Sequence, residues 1–136
     1  MKIENENEAF VSVLVASVHI DNELTDYESE KVVSILVYCR KFKNLEIIDF
    51  IRKALIMKME FGSIHLIRMA TPFINENLIK TLYCMICDLL CADGNTSESD
   101  LQLMGMMATE LQISDEEYLP IASTFMARYI WNIQVS

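Results

Sequence analysis

The chain has 136 residues, the length of one domain, with 20 acidic and 11 basic residues and a net charge of -9. Hydrophobic residues make up 52% and charged residues 23%, too apolar for a disordered acidic chain and enough to bury a core. Three Gly, two Pro and nine Met favour an all-α protein over a glycine-rich sheet fold, and the acidic balance argues against nucleic acid or an anionic membrane as partner.

The elements follow in chain order. Residues 7–19 are almost continuously apolar through Phe10, Val11, Val13, Leu14, Val15 and Val18. Their length, and the polar opening Asn5-Glu6-Asn7-Glu8, predict a helix with acids in its first turn. Thr25-Asp26-Tyr27-Glu28 reads as a capping box that opens a helix to about residue 42, with Val32, Val33, Ile35, Leu36 and Cys39 inward. Asn44 is the expected cap of a third helix carrying Ile47, Ile48, Phe50, Ile51, Leu55 and Met59. Phe61-Gly62-Ser63 breaks it, and Ser63 is the expected cap of a short helix that Thr71-Pro72 ends. Asn75 caps a helix to about Ala92, Ser97 opens another to about Leu111, and Ser114-Asp115-Glu116-Glu117 is a second capping box before the last. Pro120 is expected to kink or restart that last helix. The sum is a compact bundle of about seven helices in a single domain, 1–136.

Charge is unevenly placed. Residues 1–30 and 81–136 each carry a net -7, and residues 31–80 carry +5. The basic middle (Arg40, Lys41, Lys43, Arg52, Lys53, Lys58) fits solvated helix faces, or equally the acidic face of a second copy. The N-terminus lacks the basic start and apolar core of a secretory signal, and no apolar run reaches about 18 residues. A cytoplasmic location with reduced thiols is therefore expected for Cys39, Cys84, Cys87 and Cys91.

The chain matches itself at an offset of 72 residues. His19–Glu28 lies over Cys91–Asp100, with Asp21 on Asp93, Asn22 on Gly94, Thr25 on Ser97 and Glu28 on Asp100. Phe10, Val11, Val13, Leu14, Val15 and Val18 fall on Leu82, Tyr83, Met85, Ile86, Cys87 and Leu90. This predicts two copies of one unit, a central helix, an acidic loop and a capped helix. Asn22 and Gly94 tolerate the left-handed conformation that a helix end favours. Asp21 and Asp93 add a carboxylate where helix carbonyls already favour a cation.

Those residues resemble the tellurite-resistance TerB-like family, whose hallmark is an A-D-G-x-hydrophobic-S/T-x-x-E loop between two helices. Ala92-Asp93-Gly94 and Ser97 match it, with Thr96 in place of an aliphatic and Asp100 in place of Glu. The first copy matches through Asp21, Leu24, Thr25 and Glu28, with Ile20 and Asn22 departing. The resemblance covers about residues 8–118. It implies an all-helical, acidic, stress-associated cytoplasmic domain, a candidate for metal binding, with no established enzymatic activity. The same fold also occurs as an accessory domain beside a J-domain.

The candidate metal ligands are Asp21, Glu28, Asp93 and Asp100, with Glu23, Asn95 and Glu98 nearby. Carboxylates converging from two related loops would suit Ca²⁺, Mn²⁺ or Mg²⁺. The competing account has each Asp satisfying loop N–H groups and each Glu completing a capping box. An EF-hand does not fit, because Glu98 stands where the loop needs Gly and Met104 where it needs Glu. A protein partner for the acidic face is the metal-free alternative.

Cys84, Cys87 and Cys91 fall on one helix face, which favours buried thiols over a cluster or zinc site that needs wrapping loops. His19 sits at a helix end or beside Asp21 as a ligand, and His65 has no evident partner. Asp88, in an apolar helix, calls for a cation such as Arg40, Arg52, Lys53 or Arg68. Core filling is the expected role of most methionines, with one of Met104, Met106 and Met107 facing outward. No triad spacing and no phosphate-binding glycine loop is present, so no catalytic residue is assigned. An enzyme or redox protein built on the cysteines or carboxylates is the weakest alternative.

Overall fold

The computed structural model describes residues 1–18, 26–91 and 97–128, and for residues 26–28 the backbone alone. Among the described residues there are seven α-helices, two short 3-10 turns and no strand. The chain divides into two compact units, Met1–Glu76 and Asn77–Ser136.

In the first unit, α1 (Glu6–Val18) is the centre. Asn5 caps it, its side-chain oxygen accepting the Glu8 N–H at 2.9 Å. Every residue from Ala9 to Ser17 is buried, so α1 has no solvent face in its middle. It packs against α3 (Ile47–Phe61), α4 (Ser63–Ala70) and the 3-10 turn Thr71–Phe73. β-branched residues are tolerated there because burial on all sides outweighs their small propensity cost.

The second helix, α2 (Asp26–Val37), stops short of the expected residue 42. Cys39 is extended, and a 3-10 turn spans Arg40–Phe42. The break delivers Phe42 to the core, where it is 2% exposed and packs between Phe10 and Phe50, with ring centroids 5.7 and 5.9 Å away. Val32 and Leu36 are buried as expected, while Val33, Ile35 and Cys39 are only half-buried.

Asn44 does not cap α3. It takes a left-handed φ of 66° in the corner before it, and Glu46 precedes the helix without a side-chain cap. The core face of α3 is Ile51, Ala54 and Met57, which leaves Ile48 and Met59 on the water side. Gly62 takes φ 82° and ψ 159° and is the N-cap of α4. Ser63 is therefore the first helical residue rather than the cap, and its buried hydroxyl has no hydrogen-bond partner among the described residues. α4 ends at Ala70, where Thr71-Pro72 was expected to end it, and the Thr71 hydroxyl donates to the Ile67 carbonyl at 2.7 Å.

In the second unit, α5 (Glu76–Cys91) starts directly after Asn75. It buries a stripe, Leu82, Tyr83, Ile86, Cys87 and Cys91, rather than its whole circumference. α6 (Glu98–Glu110) buries Met104, Met107 and Ala108, with Met106 half-buried. It ends on Gln112 at φ 60°, with the Ile113 N–H on the Ala108 carbonyl at 2.8 Å and the Gln112 N–H on the Thr109 carbonyl at 3.0 Å. This is a Schellman motif made without glycine. α7 (Asp115–Arg128) runs through Pro120 without restarting and packs on α6.

Candidate functional site

Asp21 and Asp93 lie outside the described residues, as do His19, Asn22, Glu23, Thr25, Gly94 and Asn95. Glu28 is in the first turn of α2, with its backbone alone described. Asp100 is the one member of the expected metal set whose side chain is described. Ser97 caps α6 by accepting the Asp100 N–H at 3.2 Å, and Asp100 Oδ2 accepts the Ser97 N–H at 3.0 Å. The reciprocal capping box is complete. Asp100 thus does local work first, holding two backbone donors that a helix start leaves without partners. Among the described residues no group of three or more His, Cys, Asp or Glu is placed to hold a metal ion.

The cysteine face of α5 is built around Tyr83. Its hydroxyl donates to the Met104 carbonyl at 2.9 Å, and its ring meets Tyr118 edge-on at 6.2 Å. Tyr118 also lies over Gly105, where a Cβ would meet the phenol oxygen at 3.4 Å, an ordinary contact distance. Cys87 is buried among these groups, and burial pushes its thiol up to about 12. Burial likewise raises Cys84 and Tyr83. These sulfurs are thiols at neutral pH, not the thiolates that nucleophilic or redox chemistry uses. None of the four cysteines forms a disulfide.

The clearest electrostatic feature is one that sequence spacing did not single out. Glu6 accepts a hydrogen bond from the Lys41 ammonium and another from the Asn75 N–H at 2.8 Å. The Lys41 bond, followed by the Asn75 bond, holds the Glu6 carboxyl below the ordinary glutamate value. Glu8 accepts from Lys53 through both oxygens, each at 2.8 Å, and from the Glu4 N–H at 2.9 Å. The start of α1 is thereby tied to the corner after α2, to α3 and to the segment before α5. Lys41 and Lys53, two of the middle bases, are engaged inside their own unit, and Lys53 pairs with Glu8. Asp88, for which Lys53 was a candidate partner, is half-buried in α5. The only signal in the sequence was the alternation of net charge between the first 30 residues and the next 50.

In the second unit Glu117 accepts from the Lys80 ammonium and from the Ser114 hydroxyl, which together hold its carboxyl below the ordinary range. At the start of α7 this side-chain pair, with the Ser114 hydroxyl donating to the Glu117 carboxylate, stands in place of the reciprocal side-chain-to-backbone bonds of the expected capping box. No helix among the described residues is long and apolar enough to cross a membrane. Compared with family models, curated proteins and solved structures, the chain finds no match.

Proposed function

We propose that the chain is a non-enzymatic helical module of TerB-like type, stress-associated, that takes up a divalent cation (Ca²⁺, Mn²⁺ or Mg²⁺) at its acidic loops. Asp21 and Asp93 are the primary ligands, and Glu28 and Asp100 supply further carboxylate from the turn that follows each. One observation carries this reading. The sequence repeats its Asp…Thr/Ser…Glu/Asp loop at an offset of 72, and the helices that follow the two loops begin at Asp26 and Glu98, the same distance apart. Four cysteines without a disulfide are compatible with a reducing, cytoplasmic setting.

Calorimetric titration of the full chain with each cation tests it, alongside thermal melts with and without EDTA. Binding heat for one of the three, a raised melting temperature, and loss of both in Asp93→Asn are the expected results. No heat from any cation, with melts indifferent to EDTA, removes the cation from the proposal.

A second reading is favoured by the Ser97–Asp100 capping box. Where the acids serve helix starts, the same acidic face is a metal-free docking surface for a basic protein.

A further inference from the structure

Between α2 and α3 the chain turns a tight corner. The Cys39, Phe42, Lys43 and Leu45 N–H groups bond to the carbonyls of Leu36, Cys39, Arg40 and Phe42, each at 3.0 to 3.1 Å. Phe42 is pinned inward by Phe10 and Phe50, so its neighbours are displayed outward on a rigid support. Val37, Tyr38, Arg40, Lys43, Leu45 and Ile48 are all exposed, Tyr38 at 89%. Arg40 and Lys43 have no acidic partner among the described residues. Glu46 is the sole acid between residues 37 and 48, and Lys41 is engaged by Glu6. A solvated tyrosine beside an unpaired arginine on an ordered turn combines the residue types that dominate protein interfaces, with little ordering cost on binding.

The complementary chemistry occurs in the same chain. α7 opens with three acids. Glu117 is held by Lys80 and Ser114, which leaves Asp115 and Glu116 exposed and without partners among the described residues. Leu119, 51% exposed, follows them at three and four residues and so shares their helix face.

We infer that the 37–48 corner docks the first turn of α7 of a second copy of this chain. Arg40 and Lys43 meet Asp115 and Glu116, and Tyr38 and Leu45 cover Leu119. A corner-to-corner contact would set Arg40 and Lys43 against themselves, so the corner meets α7 of the second copy rather than its corner. The net charge of -9 does not forbid it, because repulsion between distant charges is screened beyond about 8 Å at physiological salt. Two short elements make a small contact, so self-association is weak.

Sedimentation equilibrium of the full chain, from micromolar to near-millimolar concentration, tests this. The parent is expected to self-associate with rising concentration. Tyr38→Ala and Arg40→Glu should each weaken association about tenfold. Arg40→Glu combined with Glu116→Lys should restore it. Circular dichroism confirms that each variant folds, which the exposure of these side chains leads one to expect. A parent that stays monomeric throughout overturns the inference. So does association that is indifferent to Tyr38 and Arg40, or that Arg40→Glu strengthens, since the last result would mean a corner-to-corner contact.

Discussion

Lys53 sets its ammonium 2.8 Å from both carboxylate oxygens of Glu8, a residue 45 positions earlier in the chain. Both side chains are largely sheltered, at 21% and 13% exposure. The pair ties the first turn of α1 to the middle of α3. It also turns part of the charge imbalance along the sequence into a bond within one unit. Glu8 is doubly placed, since an acid in a first turn is favoured by the helix dipole as well.

Removing one partner should expose this contribution. Lys53→Met leaves the Glu8 carboxylate with less compensation and is expected to cost about 1–2 kcal/mol. Urea unfolding of the single variants and of the Glu8→Gln/Lys53→Met double variant gives the coupling. Strict additivity of the two single effects would show that the pair contributes nothing jointly.

The pH dependence follows from Glu6. Its folded-state value lies below the unfolded value, so the group adds stability above the ordinary glutamate value of about 4.3. That stability is lost as pH falls through the depressed folded value. Melting temperature should therefore drop on acidification below about pH 4, and Glu6→Gln should flatten that part of the curve. A Glu6→Gln profile parallel to the parent would speak against the Lys41 and Asn75 bonds as its cause.

The two glycines described predict opposite signs for one substitution. Gly105 lies inside α6, where a Cβ meets the Tyr118 hydroxyl at 3.4 Å, an ordinary contact. Gly105→Ala should therefore gain about 0.5–1 kcal/mol of helix propensity. Gly62 has open space around it but sits at φ 82° and ψ 159°, a region almost closed to other residues. Gly62→Ala should lose about 1–3 kcal/mol. Chemical denaturation of both variants checks the reversal; equal signs would refute it.

Ser12 is fully buried in α1, and its hydroxyl has no partner among the described residues. Ser17, by contrast, donates to the Leu14 carbonyl at 2.9 Å. Ser12→Ala removes an unsatisfied group and improves helix propensity, so it should stabilise by about 1 kcal/mol, read as a raised melting temperature. A loss of stability would mean that the hydroxyl is satisfied in solution.

The thiols should report their burial. Cys87 and Cys91 are expected to be silent towards a disulfide-exchange reagent at neutral pH in the folded protein, and all four cysteines should react in denaturant. Rapid reaction of Cys87 in the native state would contradict the raised thiol.

Much of the architecture was legible along the chain, and the reason is local. Asn5 and Ser97 mark helix starts because a cap and its target lie within three residues, so no distant contact is needed to recognise them. The break at Gly62 and the stop at Thr71-Pro72 rest on backbone preference alone. The loop acids Asp21 and Asp93, singled out by the self-match, lie outside the described residues, while the capping duty of Asp100 became definite only once its oxygen was placed on the Ser97 N–H.

Tertiary structure decided what periodicity left open. α3 carries apolar residues on two faces, Ile51, Ala54 and Met57 on one, and Ile48 and Met59 (82% exposed) on the other. A hydrophobic stripe cannot choose between them; only the packing of α1 does. α2 ends at Val37 without a Gly or Pro to stop it, and the turn that follows seats Phe42 between Phe10 and Phe50. The pairs Glu6–Lys41 and Glu8–Lys53 span 35 and 45 residues, a separation that no local pattern encodes. Composition and capping determined that this chain is helical and where most helices start. Burial of Phe42, and the meeting of distant charges, determined which faces turn inward and which bases remain exposed.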